Sequence, residues 1–117
     1  MNKRDVGAMG EGIAEKWLEK RGFTCLCRNY YSRYGEIDLI FEKDKTLYFV
    51  EVKYRRSLYY GNAVNLLNKG KVSRMRQTAS KYISENYKAF IKYKLSYIGI
   101  LEMDSKIEYT WIEDLLV

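Results

Sequence analysis

Two runs of β-forming residues, Glu36 to Phe41 and Leu47 to Tyr54, flank the polar cluster Glu42-Lys43-Asp44-Lys45-Thr46. Runs of this composition across a short polar turn predict a β-hairpin. The period of two puts Leu47, Phe49, Glu51 and Lys53 on one face of the later strand, and Glu36, Asp38 and Ile40 on one face of the earlier one. A carboxylate and an ammonium therefore interrupt an apolar face. If a four-residue loop closes the hairpin with Glu42 opposite Leu47, Asp38 falls across from Glu51 on the same face. A slip of one residue would part them and leave Glu51 and Lys53 at a solvated strand end.

Facing carboxylates repel by roughly a few tenths of a kcal/mol or more in a sheet. A bound cation reverses the sign. Asp38, Glu51 and a backbone carbonyl, that of Val52, would make the hard oxygen site that Mg²⁺ or Mn²⁺ prefers, and Lys53 would point at whatever the metal holds. Glu11 is a further candidate acid, at the border of the apolar stripe of an amphipathic helix. Gly7 and Gly10 beside it either admit a phosphate backbone or pack the helix closely. Glu15 and Glu19 point away and are expected to be solvated.

The other elements follow from periodicity. Asp5 is expected to cap a helix running to about Arg21, with Val6, Ile13, Ala14, Trp17 and Leu18 as its stripe and Gly22 as its stop. Phe23 to Arg28 reads as a strand and Asn29 to Gly35 as a polar, tyrosine-rich connection. Arg55 to about Asn68 is expected to be a loop. Val72, Met75, Ala79, Tyr82 and Ile83 mark a second helix from about Lys69 to Tyr87, and strands follow at Leu95 to Leu101 and Ile107 to Ile112 around a turn at Asp104-Ser105. The predicted fold is α/β, a single mixed β-sheet flanked by helices in the order αβββαββ. At 117 residues the chain is expected to be one domain spanning 1–117.

Charge and side-chain inventory narrow the function. There is no His, which removes Ser-His-Asp, Cys-His and His-zinc chemistry. Cys25 and Cys27 are too close in an extended segment to bridge each other comfortably and are read as reduced core residues. From Val52 to Lys94 there are eleven Lys or Arg and one acid, a local charge of +10 that leaves −4 on the rest. A solvated face would mix signs, so this stretch points to a polyanion, and Tyr54, Tyr59, Tyr60, Tyr82, Tyr87 and Tyr93 are candidates to stack on bases. Lys71, Arg74 and Arg76, with Arg55, are the expected nucleic-acid contacts. No run of 18 apolar residues occurs, so a soluble, cytoplasmic protein without a membrane partner is expected.

Gly10-Glu11, Gly22-Phe23, Arg28-Asn29, Gly35-Glu36-Ile37-Asp38-Leu39-Ile40, Phe49-Val50-Glu51-Val52-Lys53, Gly61, and Lys71 with Arg74 together resemble the YraN-like family of small bacterial proteins, over Gly7 to about Ile100. That family is similar to archaeal Holliday junction resolvases and to the restriction-endonuclease-like superfamily, whose signature is Asp, a variable gap, then Glu-X-Lys. The resemblance implies Asp38 and Glu51 as metal ligands, Lys53 as catalytic lysine and Glu11 as accessory acid. Tyr54, where relatives often carry a small hydroxylated residue, and Ser96, where many have Asp, depart from the pattern.

The expected activity is divalent-metal-dependent phosphodiester hydrolysis by an endonuclease acting on DNA, branched or damaged, with a homodimer if two strands are cut together. The alternatives are a non-catalytic nucleic-acid-binding domain that keeps the fold, and a subunit whose charge meets an acidic protein.

Overall fold

A computed structural model describes residues 3–56 and 67–116. The elements are α1 (Lys3–Glu19), β1 (Thr24–Ser32), β2 (Gly35–Lys43), β3 (Thr46–Arg55), α2 (Lys69–Asn86), β4 (Lys92–Met103) and β5 (Lys106–Ile112). They form one five-stranded sheet in sequential order, antiparallel except where β3 runs parallel to β4. A parallel neighbour needs a crossover, and α2 supplies it. This is the expected α/β architecture, compatible with a restriction-endonuclease-like fold.

Each helix covers one face of the sheet. Ala14 and Leu18 of α1 are fully buried against Leu39, Phe41, Val50, Ile98 and Ile100, with Val6, Ile13 and Trp17 packed alongside. Met75, Ala79 and Tyr82 of α2 pack on Ile37, Ile40, Leu47, Phe49 and Leu95. Both faces are apolar because both are covered, which is why β3 reads as a nearly continuous apolar run.

Local chemistry moves several predicted boundaries. The hairpin loop has two residues rather than four. Lys43 pairs with Thr46, and Asp44 and Lys45 both adopt positive φ (51° and 61°), the requirement of a turn whose twist matches the strands. Asp104 and Ser105 repeat the device between β4 and β5. Helix α1 starts at Lys3, so Asp5 lies in its first turn instead of capping it; Asn68 caps α2, its side chain accepting from the Lys71 N–H. The segment read as a connection after Arg28 is mostly strand, because Tyr30 and Tyr31 favour extended backbone and the turn needs only Arg33 and Tyr34. The loop expected from Arg55 to Asn68 falls largely outside the described residues, as do Tyr59, Tyr60 and Gly61.

Alternation breaks twice in β1 and once in β2. A register shift between Cys25 and Cys27 turns Cys25 toward the α1 cluster and Cys27 toward the α2 cluster. Asn29 then takes a left-handed conformation (φ 52°), so that Cys27 and Tyr30, three apart, both pack on the α2 side. In β2, Ile37 and Ile40 face α2 while Leu39 and Phe41 face α1. Asp38 lies at the slip, so it does not share a face with Ile40 as simple alternation required.

Candidate metal centre at a fork in the sheet

Strands β2 and β3 pair from Lys43↔Thr46 to Leu39↔Val50 and then part. Beyond that point β2 continues to Gly35 against β1, and β3 continues to Arg55 against β4. The register is the one that sets Glu42 across from Leu47. The Asp38↔Glu51 step that would come next is replaced by a side-chain bond, in which the Val52 N–H donates to the Asp38 carboxylate (2.8 Å). The N–H and C=O of one strand residue point to the same edge, so the Val52 carbonyl faces the same opening.

Three carboxylates gather there. One ligand oxygen each from Glu11, Glu36 and Asp38 lies within 4.8 Å of the others, all three residues being half-buried. Among the described residues none of the three forms an ion pair. Burial, then the charge of Glu51, then those of Glu11 and Glu36 push the Asp38 carboxyl up to about 8 against the pull of the Val52 N–H. Burial also raises Glu11, with the Asn29 side chain holding it down by a hydrogen bond. The left-handed Asn29 thus serves Glu11. Such a group of acid oxygens could hold a metal ion.

Glu51 stands apart from this group. It is 3% exposed, and its carboxylate is ion-paired to Lys71 of α2 (3.1 Å) and to Lys53 (3.3 Å). Glu51 is therefore held from the α2 side, while Asp38 groups with Glu11 of α1. Their charges are felt across the opening, since Glu51 raises both Asp38 and Glu11. Glu36 is the member that sequence reasoning passed over as a ligand; its place beside Asp38 in the period-two pattern was the available signal.

The basic residues divide. Lys71 reaches the site. Arg74 lies on the flank of α2 next to Gly35, where a Cβ added to the glycine would be 4.0 Å from the Arg74 Cβ. Arg76, two residues on, projects about 160° away around the helix. Arg55 is half-buried at the end of β3 and donates to the Tyr54 carbonyl. Tyr54 and Tyr82 are core residues, 6% and 9% exposed, so neither is free to stack on a base. Tyr54 lies under α1, where a Cβ on Gly10 would approach its Cβ to 2.5 Å; Gly10 is a close-packing glycine rather than a phosphate opening. Glu15 is not solvated, because Arg28 of β1 grips it with two hydrogen bonds. Ser96 is buried, and its hydroxyl donates to the Glu113 carbonyl, tying down the segment after β5. In register with Glu51 on β4 is Tyr97, fully buried, its hydroxyl without a hydrogen-bond partner among the described residues.

Fold and site define an α/β protein with a cluster of acids at a forked sheet. Sequence comparison places it more narrowly. Residues 10–101 match the uncharacterised protein family UPF0102, and the chain belongs to that family. A UPF0102 protein of Vibrio parahaemolyticus is 35% identical over 114 residues, covering 97% of this chain and 93% of its own length. One from Carboxydothermus hydrogenoformans is 33% identical, covering 91% and 90%, and one from Brachyspira hyodysenteriae is 36% identical, covering 99% and 98%. The YraN-like family resembled by the motifs is this one. Among the described residues no helix is long and apolar enough to cross a membrane.

Proposed function

We propose that the protein is a divalent-metal-dependent phosphodiesterase acting on nucleic acid, as an endonuclease on DNA that is branched or damaged, and that residues 1–117 work as one nuclease-like domain. The observation that carries the reading is the group of three acids, Glu11, Glu36 and Asp38, without an ion-pair partner among the described residues, at the mouth of the β2–β3 fork. Burial first, then the neighbouring charges of Glu51, Glu11 and Glu36, disfavour the ionised Asp38, and a hard divalent ion is a group that would relieve them. Asp38, Glu11 and Glu36 would hold it, with Glu51 and the Val52 carbonyl as the donors implied by the Asp, Glu-X-Lys pattern; Mg²⁺ or Mn²⁺ suits an all-oxygen set.

When bound, the ion supplies a Lewis acid for the phosphoryl group and lowers the pKa of a water nucleophile. Lys53 is anchored by Glu51 at the edge of the opening and is assigned to orienting that water or to countering charge on the phosphoryl oxygens. Lys71 and Arg74 hold the phosphate backbone; Arg55 and Arg76 are secondary contacts, Arg76 because it faces away from Arg74. The free Cys25 and Cys27, both raised in pKa by burial, fit a reducing compartment such as the cytoplasm. A homodimer would serve a substrate cut on two strands.

The test offers junction, flap, nicked and single-stranded DNA to the protein in Mg²⁺, in Mn²⁺ and in chelator. Metal-dependent cleavage that disappears in Asp38→Asn and Glu51→Gln is expected. Salt-sensitive binding without cleavage or bound metal would favour a non-catalytic nucleic-acid-binding domain.

A further inference from the structure

The turn between β1 and β2 leans on α2 and leaves an open groove of about 580 Å³ between them. Arg33 and Tyr34 form one wall; Gln77, Ser80, Lys81 and Ser84 form the other. Two sets of contacts fix the walls. The Ser32 hydroxyl shares a 2.8 Å hydrogen bond with Thr78, which is fully buried and itself donates to the Arg74 carbonyl. On β1, Tyr30 donates to Glu85, whose other oxygen pairs with Lys81 at 2.9 Å. The groove is thus built before anything binds.

Its chemistry is one-sided. Among the described residues no carboxylate lines it, and the nearby Glu85 is already taken up by Tyr30 and Lys81. Arg33 has no carboxylate partner among the described residues; it lies 4.9 Å over the Tyr34 ring and donates to the Tyr34 hydroxyl, which orients the guanidinium and leaves its other N–H groups available. Gln77 and Ser80 supply further donors, whereas the Ser84 hydroxyl already donates to the Lys81 carbonyl. Arg74, also without a carboxylate partner among the described residues, connects the groove to the acids, because it abuts Gly35, the residue before Glu36. Along α2 the cations run Lys71, Arg74, Lys81, about 15 Å from first to last at 1.5 Å per residue; Lys71 and Lys81 are ion-paired to Glu51 and Glu85, so Arg74 and the Arg33 guanidinium carry the charge without a carboxylate partner among the described residues. Guanidinium, ammonium and neutral donors in a polar trough are the chemistry that takes phosphodiesters.

We propose that this groove is a binding track for the phosphodiester backbone of a nucleic-acid strand leaving the carboxylate site, with Arg33, Gln77 and Lys81 as its contacts. The inference rests on the nucleic-acid reading of that site and adds the path of the strand. It also explains why the Arg33-Tyr34 turn is pinned to α2 by the Ser32 hydroxyl on the buried Thr78.

Binding of fluorescent oligothymidylate to the full chain, in chelator so that nothing is cut, tests it by anisotropy across a salt series. The variants are Arg33→Glu with Gln77→Glu in the groove, Lys71→Ala with Arg74→Ala beside the acids, and Lys106→Glu at the far edge of the sheet as a charge control. Circular dichroism melts confirm folding, and the single Arg33→Ala serves if the double variant melts early. We expect the groove variant to bind at least tenfold more weakly and with a log–log salt slope shallower by about one unit for each phosphate it no longer neutralises, while Lys106→Glu changes little. Groove variants that bind like the unmutated protein while Lys71→Ala with Arg74→Ala weakens it would overturn the track and leave the nucleic-acid reading standing. If the unmutated protein binds no oligonucleotide even at low salt, both fall. If polyglutamate binds instead and Arg33→Glu abolishes that binding, the groove belongs to an acidic protein partner.

Discussion

The two ends of the β2–β3 hairpin are built from the same strands and behave oppositely. At the closed end, Leu39 to Lys43 pair with Thr46 to Val50, the fully buried side chains Leu39, Ile40, Phe41, Leu47, Phe49 and Val50 are all apolar, and a two-residue turn locks the register. At the open end the ladder stops, and a carboxylate takes the backbone N–H that a strand would have taken. Glu11, Glu36 and Asp38 collect where the pairing has failed. The closed end holds the fold together; the open end spends part of that stability to keep like charges near one another.

The strongest way to break the contrast is to attack the closed end. Phe41 is fully buried, so Phe41→Ala should destabilise by about 3–5 kcal/mol. Urea titration reads this directly, and whatever fraction stays folded should keep its metal affinity, because the fork is not touched. A loss of unfolding free energy under about 1 kcal/mol would mean the closed end is not what holds the hairpin.

Next come two glycines of α1. Gly10→Ala puts a Cβ 2.5 Å from the Tyr54 Cβ, and lifting the helix to relieve the clash should cost about 1–3 kcal/mol and displace the adjacent Glu11. Gly12→Ala meets nothing within 4 Å on an exposed helical surface and should stabilise by about 1 kcal/mol. Opposite signs in thermal melts of the two variants are the expected result, with weaker divalent-ion binding by calorimetry only for the first.

At the open end, Asp38→Asn should stabilise the metal-free protein. An acid whose folded pKa, about 8, exceeds its ordinary 3.8 binds more protons when folded, so its contribution to stability falls as pH rises through that window. Asn keeps an acceptor for the Val52 N–H and carries no charge. The variant should therefore melt no higher than the unmutated protein near pH 4 and progressively higher toward pH 8. After allowance for solvent screening at a half-buried site, the gain is on the order of 1 kcal/mol. A gap that stays constant with pH would remove the electrostatic account of the cluster, and added Mg²⁺ should raise only the unmutated protein.

The smallest effect belongs to the turn. Lys45 has φ 61°, which favours glycine, and Lys45→Gly should stabilise by about 0.5 kcal/mol without altering the fork.

Periodicity alone reached most of the fold, because each helix stripe and each β run is matched by a covered face; the stripe from Val6 to Leu18 and the register of Glu42 against Leu47 are examples. Local patterning determined the element order, the hairpin, the crossover helix and the presence of acids among apolar strand positions. It could not determine where the ladder ends, since hydrogen bonding between strands depends on how two helices and five strands pack together. That decision, with the left-handed Asn29 and the slip at Asp38, sets Glu36 beside Asp38 and hands Glu51 to Lys71. Alternation assumes an unbroken strand. The carboxylates come together where that assumption fails, because only three-dimensional packing can hold acids from α1 and β2 within reach of one another.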